Sequence, residues 1–232
     1  MIKIKKKLLL ISLILGLLSF GGIAYASGKD KVAKADTNTD MNINEVIELA
    51  NFEIPTTFAS NKINVKYEDI EGGMKAVVTD RKSKKILASY SEGISEEDKQ
   101  GDDKSWRSHV EISSEINPVT ITVYTELIVS QKQGLKPKIE SIPYVYQAES
   151  NITDFEIKNP HESVRNSQDL PTDNVILNIT GQIYSTSDMN KKSYVTYNDF
   201  KAAGFDMNGS EKKEWFARKD YNSQVTFKLK TK

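Results

Sequence analysis

The 232-residue sequence contains no cysteine at all. This absence excludes disulfide bonds, a lipid-modified N-terminal cysteine, a thiol nucleophile and thiolate metal sites. A fold without such cross-links must be held together by its hydrophobic core, and about 190 residues can bury enough apolar surface for that in one domain. We therefore expect one self-sufficient folded domain.

Histidine is nearly as scarce, because the chain has only His109 and His161. Neither is accompanied by a Gly-x-Ser-x-Gly elbow or a Ser-x-x-Lys motif, so no histidine-activated serine is indicated. Two histidines without cysteine also fall short of the usual zinc ligand set. His109 alternates with Arg107 and Glu111 on the outward face of a predicted strand, which is typical of a solvated residue. The sequence predicts no enzymatic activity and no catalytic residue.

A concentrated basic region is also missing. The chain balances 32 basic against 32 acidic residues. Without the four lysines of the N-terminal leader, 28 basic residues remain against the 32 acidic ones. Because phosphate binding requires a concentrated basic face, we do not expect nucleic acid as a partner.

The first 26 residues have the order of a secretory signal peptide. "MIKIKKK" is basic, "LLLISLILGLLSFGGI" is apolar, and Ala24 and Ala26 occupy the small-residue positions that signal peptidase recognises. We expect cleavage after Ala26 and a secreted, extracellular protein. An uncleaved anchor is the alternative, because about 20 apolar residues can span a bilayer. The lysine- and asparagine-rich composition is typical of a Gram-positive bacterium.

The remaining chain divides into a linker and one domain. Residues 27–41 are polar and lack apolar periodicity, which predicts a disordered linker. In the domain at 42–232, apolar residues recur at every second position in seven or eight short segments, among them 139–147, 175–183 and 225–230. This pattern predicts a mainly β fold, an antiparallel β-sandwich of the immunoglobulin-like or jelly-roll-like kind.

Two short helices are predicted within this domain. Asn42 and Glu45 stand at capping-box spacing and are followed by apolar residues at intervals of three and four, which predicts a short N-terminal helix. Thr196 and Asp199 have the same capping-box spacing, and they predict a helical insertion near 197–203.

The stretch "PVTITVYTELIVSQ", Pro118 to Gln131, alternates between an apolar and a hydroxyl-rich face. It is longer than the typical strand of about five or six residues, so an amphipathic hairpin near 118–150 of a pore-forming toxin is one interpretation. However, Pro143 removes a ladder hydrogen bond and belongs on an edge strand, and Tyr124 puts apolar bulk on the supposed lumen face. An antiparallel strand with one buried face predicts the same alternation and is the preferred interpretation.

Two polar stretches, 95–104 and 158–173, carry no strand or helix signal and are predicted loops. The first contains an acidic run whose carboxylate oxygens suit Ca²⁺. A solvated loop is the competing interpretation of the same run. The candidate calcium ligands are Glu96, Glu97, Asp98, Asp102 and Asp103.

Aromatic residues supply the weak candidates for ligand binding. Trp106, Tyr144 and Trp215 could stack on a sugar or contact a protein if they lie on the surface of the sandwich. Residues of these types at such positions more often belong to the core.

These observations favour an exported, non-enzymatic binding module whose partner is an extracellular protein or a cell-wall polymer. The first alternative is the secreted pore-forming toxin, the only interpretation that implies a membrane as partner. The second alternative is a secreted hydrolase that uses paired carboxylates, whose separation would determine the mechanism.

Overall fold

The structure, a computed structural model, describes residues 44–100, 103–149, 155–189 and 195–230. Within these ranges, only the backbone is described for residues 96–100, 149 and 168. The predicted signal peptide and linker lie outside the described residues and stay predictions.

The described part of the chain is mainly β, with two antiparallel sheets and one short α-helix. Its elements in chain order are β1 (Asn44–Glu48), β2 (Phe52–Ala59), β3 (Ile63–Ile70), β4 (Gly73–Asp80), β5 (Ile86–Gln100), β6 (Asp103–Ile116), β7 (Val119–Gln131), β8 (Lys138–Glu149), β9 (Glu156–Val164), β10 (Asn174–Thr186), α1 (Tyr197–Ala202), β11 (Asp206–Gly209) and β12 (Trp215–Leu229). A short 3₁₀ turn, Ser167–Asp169, lies between β9 and β10.

The first sheet has the strand order β1-β2-β12-β10-β9, and β11 is added to β12. Its centre is the long antiparallel pair of β10 and β12, which runs in register from Asn174 opposite Lys228 to Thr186 opposite Phe216. The predicted strands at 175–183 and 225–230 are therefore confirmed, and both extend further than the sequence pattern indicated.

The second sheet consists of β3 to β8, which follow one another in sequence and in space. The alternating stretch after Pro118 forms β7, which is paired on both sides, with β6 and with β8. Pro143 lies in β8, and β8 is an edge strand of this sheet. Because proline cannot donate a ladder hydrogen bond, an edge is where it is tolerated, and the prediction made from Pro143 is confirmed.

Buried apolar residues of both sheets form one continuous cluster. Val110 and Ile112 of β6 contribute to it from the second sheet, and Leu177 and Ile179 of β10 contribute from the first. Successive side chains of a strand point to opposite faces, so alternation in the sequence becomes a buried face in the structure. A smaller cluster surrounds the fully buried Phe200 of α1.

Helix α1 confirms the predicted helical insertion. The Thr196 hydroxyl accepts a hydrogen bond from the backbone N–H of Asp199, and the Asp199 carboxylate accepts one from the backbone N–H of Thr196 at 2.7 Å. Gly204 follows the helix with a φ of 76°, a conformation that glycine adopts without strain.

The predicted N-terminal helix is wrong, because residues 44–48 form strand β1. Ile47 lies opposite Ile54 of β2, and Ile47 and Leu49 are fully buried two residues apart. This two-residue period buries both side chains in the core, while the capping-box spacing offers only a local preference. Pairing with β2 therefore overrides the helix signal.

The two predicted loops are also wrong over much of their length. β5 continues to Gln100 and β6 begins at Asp103, so most of 95–104 is paired strand. β9 occupies 156–164 as an edge strand of the first sheet. None of the residues of β9 is fully buried, and a strand without a buried face has no alternation to detect. No helix in the described ranges is long and apolar enough to cross a membrane.

Candidate binding surface

Three tyrosines lie together on the outward face of the second sheet. Tyr124 belongs to β7, and Tyr144 and Tyr146 belong to β8. Tyr144 and Tyr146 retain 40% and 48% of their accessible surface, while Tyr124 is half-buried. We call these three residues the tyrosine face.

Strand register brings these side chains together from distant points in the sequence. In the pairing of β7 with β8, Tyr124 lies opposite Tyr146 and Glu126 lies opposite Tyr144. In the pairing of β6 with β7, Glu126 also lies opposite His109. Residues opposite one another across strands have their Cβ atoms about 5 Å apart, so these side chains must interact.

The tyrosine rings pack on one another. The rings of Tyr124 and Tyr146 are stacked, with centroids 4.9 Å apart and planes 15° apart. The ring of Tyr144 is tilted by 41° against that of Tyr146 at a centroid distance of 5.8 Å. Such offset and tilted arrangements are the favourable geometries for aromatic pairs. The rings of Tyr124 and Tyr146 therefore turn one face towards each other, and the Tyr144 hydroxyl is directed at His109.

A buried carboxylate lies beside the rings. Glu126 is only 3% exposed although its strand position faces outward. Its Oε1 accepts a hydrogen bond from Arg107 Nη1 at 2.6 Å, and its Oε2 lies 3.3 Å from His109 Nδ1. The same His109 Nδ1 lies 3.2 Å from the hydroxyl of Tyr144. Arginine, histidine and tyrosine thus converge on one carboxylate, which satisfies the rule that a buried charge must be paired.

Two of the tyrosines have perturbed acidities. Partial burial and the carboxylate of Glu126 raise the pKa of Tyr144. Partial burial and the carboxylate of Glu111 raise the pKa of Tyr124. Both causes disfavour the phenolate, so these hydroxyl groups stay protonated and able to donate hydrogen bonds at neutral pH.

The three aromatic candidates from the sequence occupy different environments. Trp215 is buried in the cluster around Phe200. Trp106 is half-buried and packs against the main core, and its indole Nε1 is buried without a hydrogen-bond partner among the described residues. Tyr144 lies on the surface, in the tyrosine face. The structure therefore places both tryptophans with the core and Tyr144 with the candidate surface.

Four of the calcium candidates lie in paired strands: Glu96, Glu97 and Asp98 in β5, and Asp103 at the start of β6. The side chains of Glu96, Glu97 and Asp98, and all of Asp102, lie outside the described residues. Asp103 is exposed, and its Oδ1 accepts a hydrogen bond from the backbone N–H of Gln133 at 3.1 Å. Calcium binding at these five residues stays a prediction.

The two histidines lie in different sheets. His161 is exposed on β9, opposite Thr180 of the first sheet. His109 is exposed on β6, as its outward position predicted, and it also contacts Glu126 and Tyr144.

The sequence reasoning did not identify Glu126 or Tyr146 as members of a site. The spacing of Tyr144 and Tyr146 was the available signal, because residues two apart on a strand share a face.

A shallow concave surface lies elsewhere, near the joint of β10, β11 and β12. It has a volume of about 360 Å³, and its lining is Tyr184, Thr186, Ser187, Asp188, Asn208, Glu214, Trp215 and Phe216. The ring of Tyr184 is stacked on Phe216, and Lys158 Nζ lies 3.4 Å from the Tyr184 ring centroid. Since Tyr184 and Phe216 are half-buried whereas Tyr144 and Tyr146 are exposed, the tyrosine face is the better candidate surface.

No protein-family model, no curated protein and no solved structure matches this chain.

Proposed function

We propose that this chain is an exported, non-enzymatic binding protein with a β-sandwich fold, immunoglobulin-like or jelly-roll-like, whose tyrosine face contacts an extracellular or cell-envelope partner. The observation that carries this proposal is the exposure of Tyr144 and Tyr146 side by side, next to the buried carboxylate of Glu126. The core shared by the two sheets supports the sandwich, and the leader sequence supports export.

Adjacent exposed tyrosines suit a contact surface for physical reasons. A tyrosine offers a large apolar area and a hydrogen-bonding hydroxyl, and it has few rotatable bonds to immobilise on binding. Tyrosine and arginine are also the residue types most enriched where binding energy concentrates in interfaces. Arg107 and Tyr144, both bound to Glu126, provide this combination on one patch.

The buried ion pair supplies rigidity to this patch. Burying a carboxylate is costly, and the pairing with Arg107 at 2.6 Å offsets that cost rather than adding much net stability. Its effect is to fix the side chains around Glu126 in one geometry. A surface that is already ordered before binding loses less entropy when a partner docks.

The ring arrangement favours a protein partner over a cell-wall polysaccharide. Sugars pack on an open aromatic face, whereas the faces of Tyr124 and Tyr146 are turned towards each other at 4.9 Å. The exposed parts of Tyr144 and Tyr146 remain for contact, and they suit the mixed apolar and polar surface of another protein.

The pore-forming alternative depends on strand length. Strands β5 to β8 have 15, 14, 13 and 12 residues, well above the typical length of about five or six. Release of a trapped dye from liposomes would support this alternative. Monomeric protein that releases no dye would remove it. The hydrolase alternative has no comparable structural observation in its favour.

A binding experiment tests the main proposal. The full chain is expressed in its native host, and the protein is purified from the medium. Its binding to intact host cells is then measured, both for untreated cells and for cells treated with a protease. We expect saturable binding that protease treatment of the cells removes. We also expect that the double substitution Tyr144→Ser and Tyr146→Ser weakens this binding about tenfold or more.

The matched control is the double substitution Ile86→Ser and Leu135→Ser, which alters two apolar side chains that are 56% and 60% exposed outside the tyrosine face. This control should bind like the unmodified protein. Absence of the protein from both the medium and the cell surface would overturn the export proposal. Equal binding by the tyrosine variant and the control would overturn the role of the tyrosine face.

A further inference from the structure

We propose that His109 makes the tyrosine face pH-sensitive by exchanging its hydrogen-bond partner. Neutral His109 accepts a hydrogen bond from the Tyr144 hydroxyl, and protonated His109 donates to the Glu126 carboxylate instead. The consequence for binding rests on the proposed function, whereas the exchange itself is a property of the folded chain.

The geometry at one nitrogen atom requires a choice between these partners. His109 Nδ1 lies 3.2 Å from the Tyr144 hydroxyl and 3.3 Å from Glu126 Oε2. A ring nitrogen either carries a proton and donates or carries a lone pair and accepts. With the proton on Nε2, neutral His109 offers its Nδ1 lone pair to Tyr144. Once Nδ1 is protonated, it can only donate, and the nearby carboxylate is the stronger acceptor.

Glu126 gives this exchange its driving force. The carboxylate is buried and has one cationic partner, Arg107, at Oε1. Its second oxygen, Oε2, is the atom that lies near His109. A protonated imidazole would place a second positive charge beside a carboxylate shielded from water, where a charge-assisted hydrogen bond is strongest.

His109 is the histidine of this patch, and three strands surround it. On the side of β5, Gly93 lies opposite His109 and carries no charge. Histidine is the side chain whose ordinary pKa produces a charge change between about pH 5 and 8, whereas carboxyl groups ordinarily titrate lower and tyrosine and arginine higher. The charged and titratable residues facing it are Arg107 and Glu111 on β6, Tyr124 and Glu126 on β7, and Tyr144 and Tyr146 on β8.

The exchange changes how firmly Tyr144 is held. In the neutral form, its hydroxyl is fixed by His109 and its ring packs on Tyr146. In the protonated form, the hydroxyl loses His109 as acceptor and turns to the Glu126 carboxylate, which Arg107 and His109 then share, so the ring leaves the position that it has in the neutral form. Binding through the tyrosine face should therefore weaken about fivefold from pH 8 to pH 5, the factor that corresponds to one hydrogen bond of about 1 kcal/mol.

The exchange can be tested without any partner. The full-length chain is produced with 3-fluorotyrosine in place of tyrosine. The ¹⁹F resonances and the histidine ring resonances of the processed protein are then followed by NMR from about pH 5 to pH 8. Tyr144→Phe identifies the Tyr144 signal, and His161→Gln leaves His109 as the one histidine. We expect the Tyr144 and His109 signals to inflect at the same pH. His109→Gln should abolish the Tyr144 inflection, while His161→Gln should leave it unchanged.

A Tyr144 signal that does not move, or an inflection that persists in His109→Gln, overturns the exchange. Cell binding is then measured at the two pH limits with the unmodified protein and with His109→Gln. Loss of the pH dependence in the variant supports the consequence for binding, and unchanged binding of the unmodified protein overturns it. A clear exchange together with no cell binding at either pH supports the exchange and overturns the proposed function.

Discussion

Asn51 uses two donors to hold the carboxylate of Glu92. Its backbone N–H donates to Glu92 Oε2 and its side-chain Nδ2 donates to Glu92 Oε1, each at 2.9 Å. Ser108 adds a third hydrogen bond to Oε1 at 2.9 Å, and Glu92 is fully buried. Because Asn51 lies between β1 and β2 and Glu92 lies in β5, this carboxylate connects the two sheets.

Substitution of Glu92 by alanine should strongly destabilise the protein. The change leaves two donors of Asn51 and the hydroxyl of Ser108 without their acceptor, and we expect a loss of about 3 kcal/mol in the free energy of unfolding. Urea denaturation followed by circular dichroism measures this loss. The control is Glu53→Ala, since the Glu53 carboxylate lies at the surface, 3.8 Å from Lys228 Nζ. A Glu92→Ala protein as stable as this control would contradict the role of the carboxylate.

Two glycine substitutions form a matched pair. A Cβ added to Gly181 would lie 2.7 Å from Cζ of the Tyr221 ring, whereas a Cβ added to Gly93 would meet nothing within 4 Å. Gly181→Ala should therefore displace Tyr221, break its hydrogen bond to Gln147, and cost about 1–3 kcal/mol of stability. Gly93→Ala should be neutral or slightly stabilising, because alanine loses less backbone entropy on folding.

Thermal denaturation of both glycine variants provides the comparison. The expected result is a lower melting temperature for Gly181→Ala and an unchanged or higher one for Gly93→Ala. The opposite order would show that the Tyr221 ring keeps its position even when residue 181 carries a Cβ atom.

Removal of the helix cap should have a moderate effect. Thr196→Ala deletes the hydroxyl that accepts from the Asp199 backbone, and we expect a loss of about 1 kcal/mol in unfolding free energy. Thr196→Ser keeps an acceptor at the same place and should restore most of the loss. If serine and alanine behave alike in urea denaturation, the cap does not stabilise α1.

Tyr90 should make the protein less stable at alkaline pH. Burial raises the pKa of this tyrosine above its ordinary value. Since the folded-state pKa exceeds that of the unfolded chain, the stabilisation is complete below about pH 10 and is lost as the pH rises further towards the folded-state value. Urea midpoints measured on both sides of pH 10 should fall with rising pH, and Tyr90→Phe should reduce this decline. An identical decline in the phenylalanine variant would assign the effect to other groups.

The sequence predicted individual strands better than their partners. The alternation after Pro118 matched β7 closely, because side-chain period is a local property of a strand. In contrast, Tyr124 lies opposite Tyr146, and Glu126 opposite His109, because of the strand register. Pairing between strands sets this register, and the pairing of β7 with β8 is irregular around Ile128 of β7. The sequence therefore did not predict that these residues form one surface, although His109 and Tyr144 were singled out separately.

The errors have a common physical origin. Asn42 and Glu45 supplied a local helix signal, but the burial of Ile47 and its pairing with Ile54 decided the conformation. Similarly, the polar composition of β9 suggested a loop, yet hydrogen bonds to β10 keep it extended. In both places, contacts with residues distant in sequence outweighed the local preference.

Pro143 has a further consequence for a chain that folds without covalent cross-links. An open strand edge can recruit the same strand of another molecule, which is the first step towards fibrils. The proline in β8, like Pro160 in the edge strand β9, removes one of the donors that such recruitment requires. Each sheet thus carries on one border a residue that discourages stacking of copies, and Pro143→Thr should make the purified protein more prone to form thioflavin-binding aggregates.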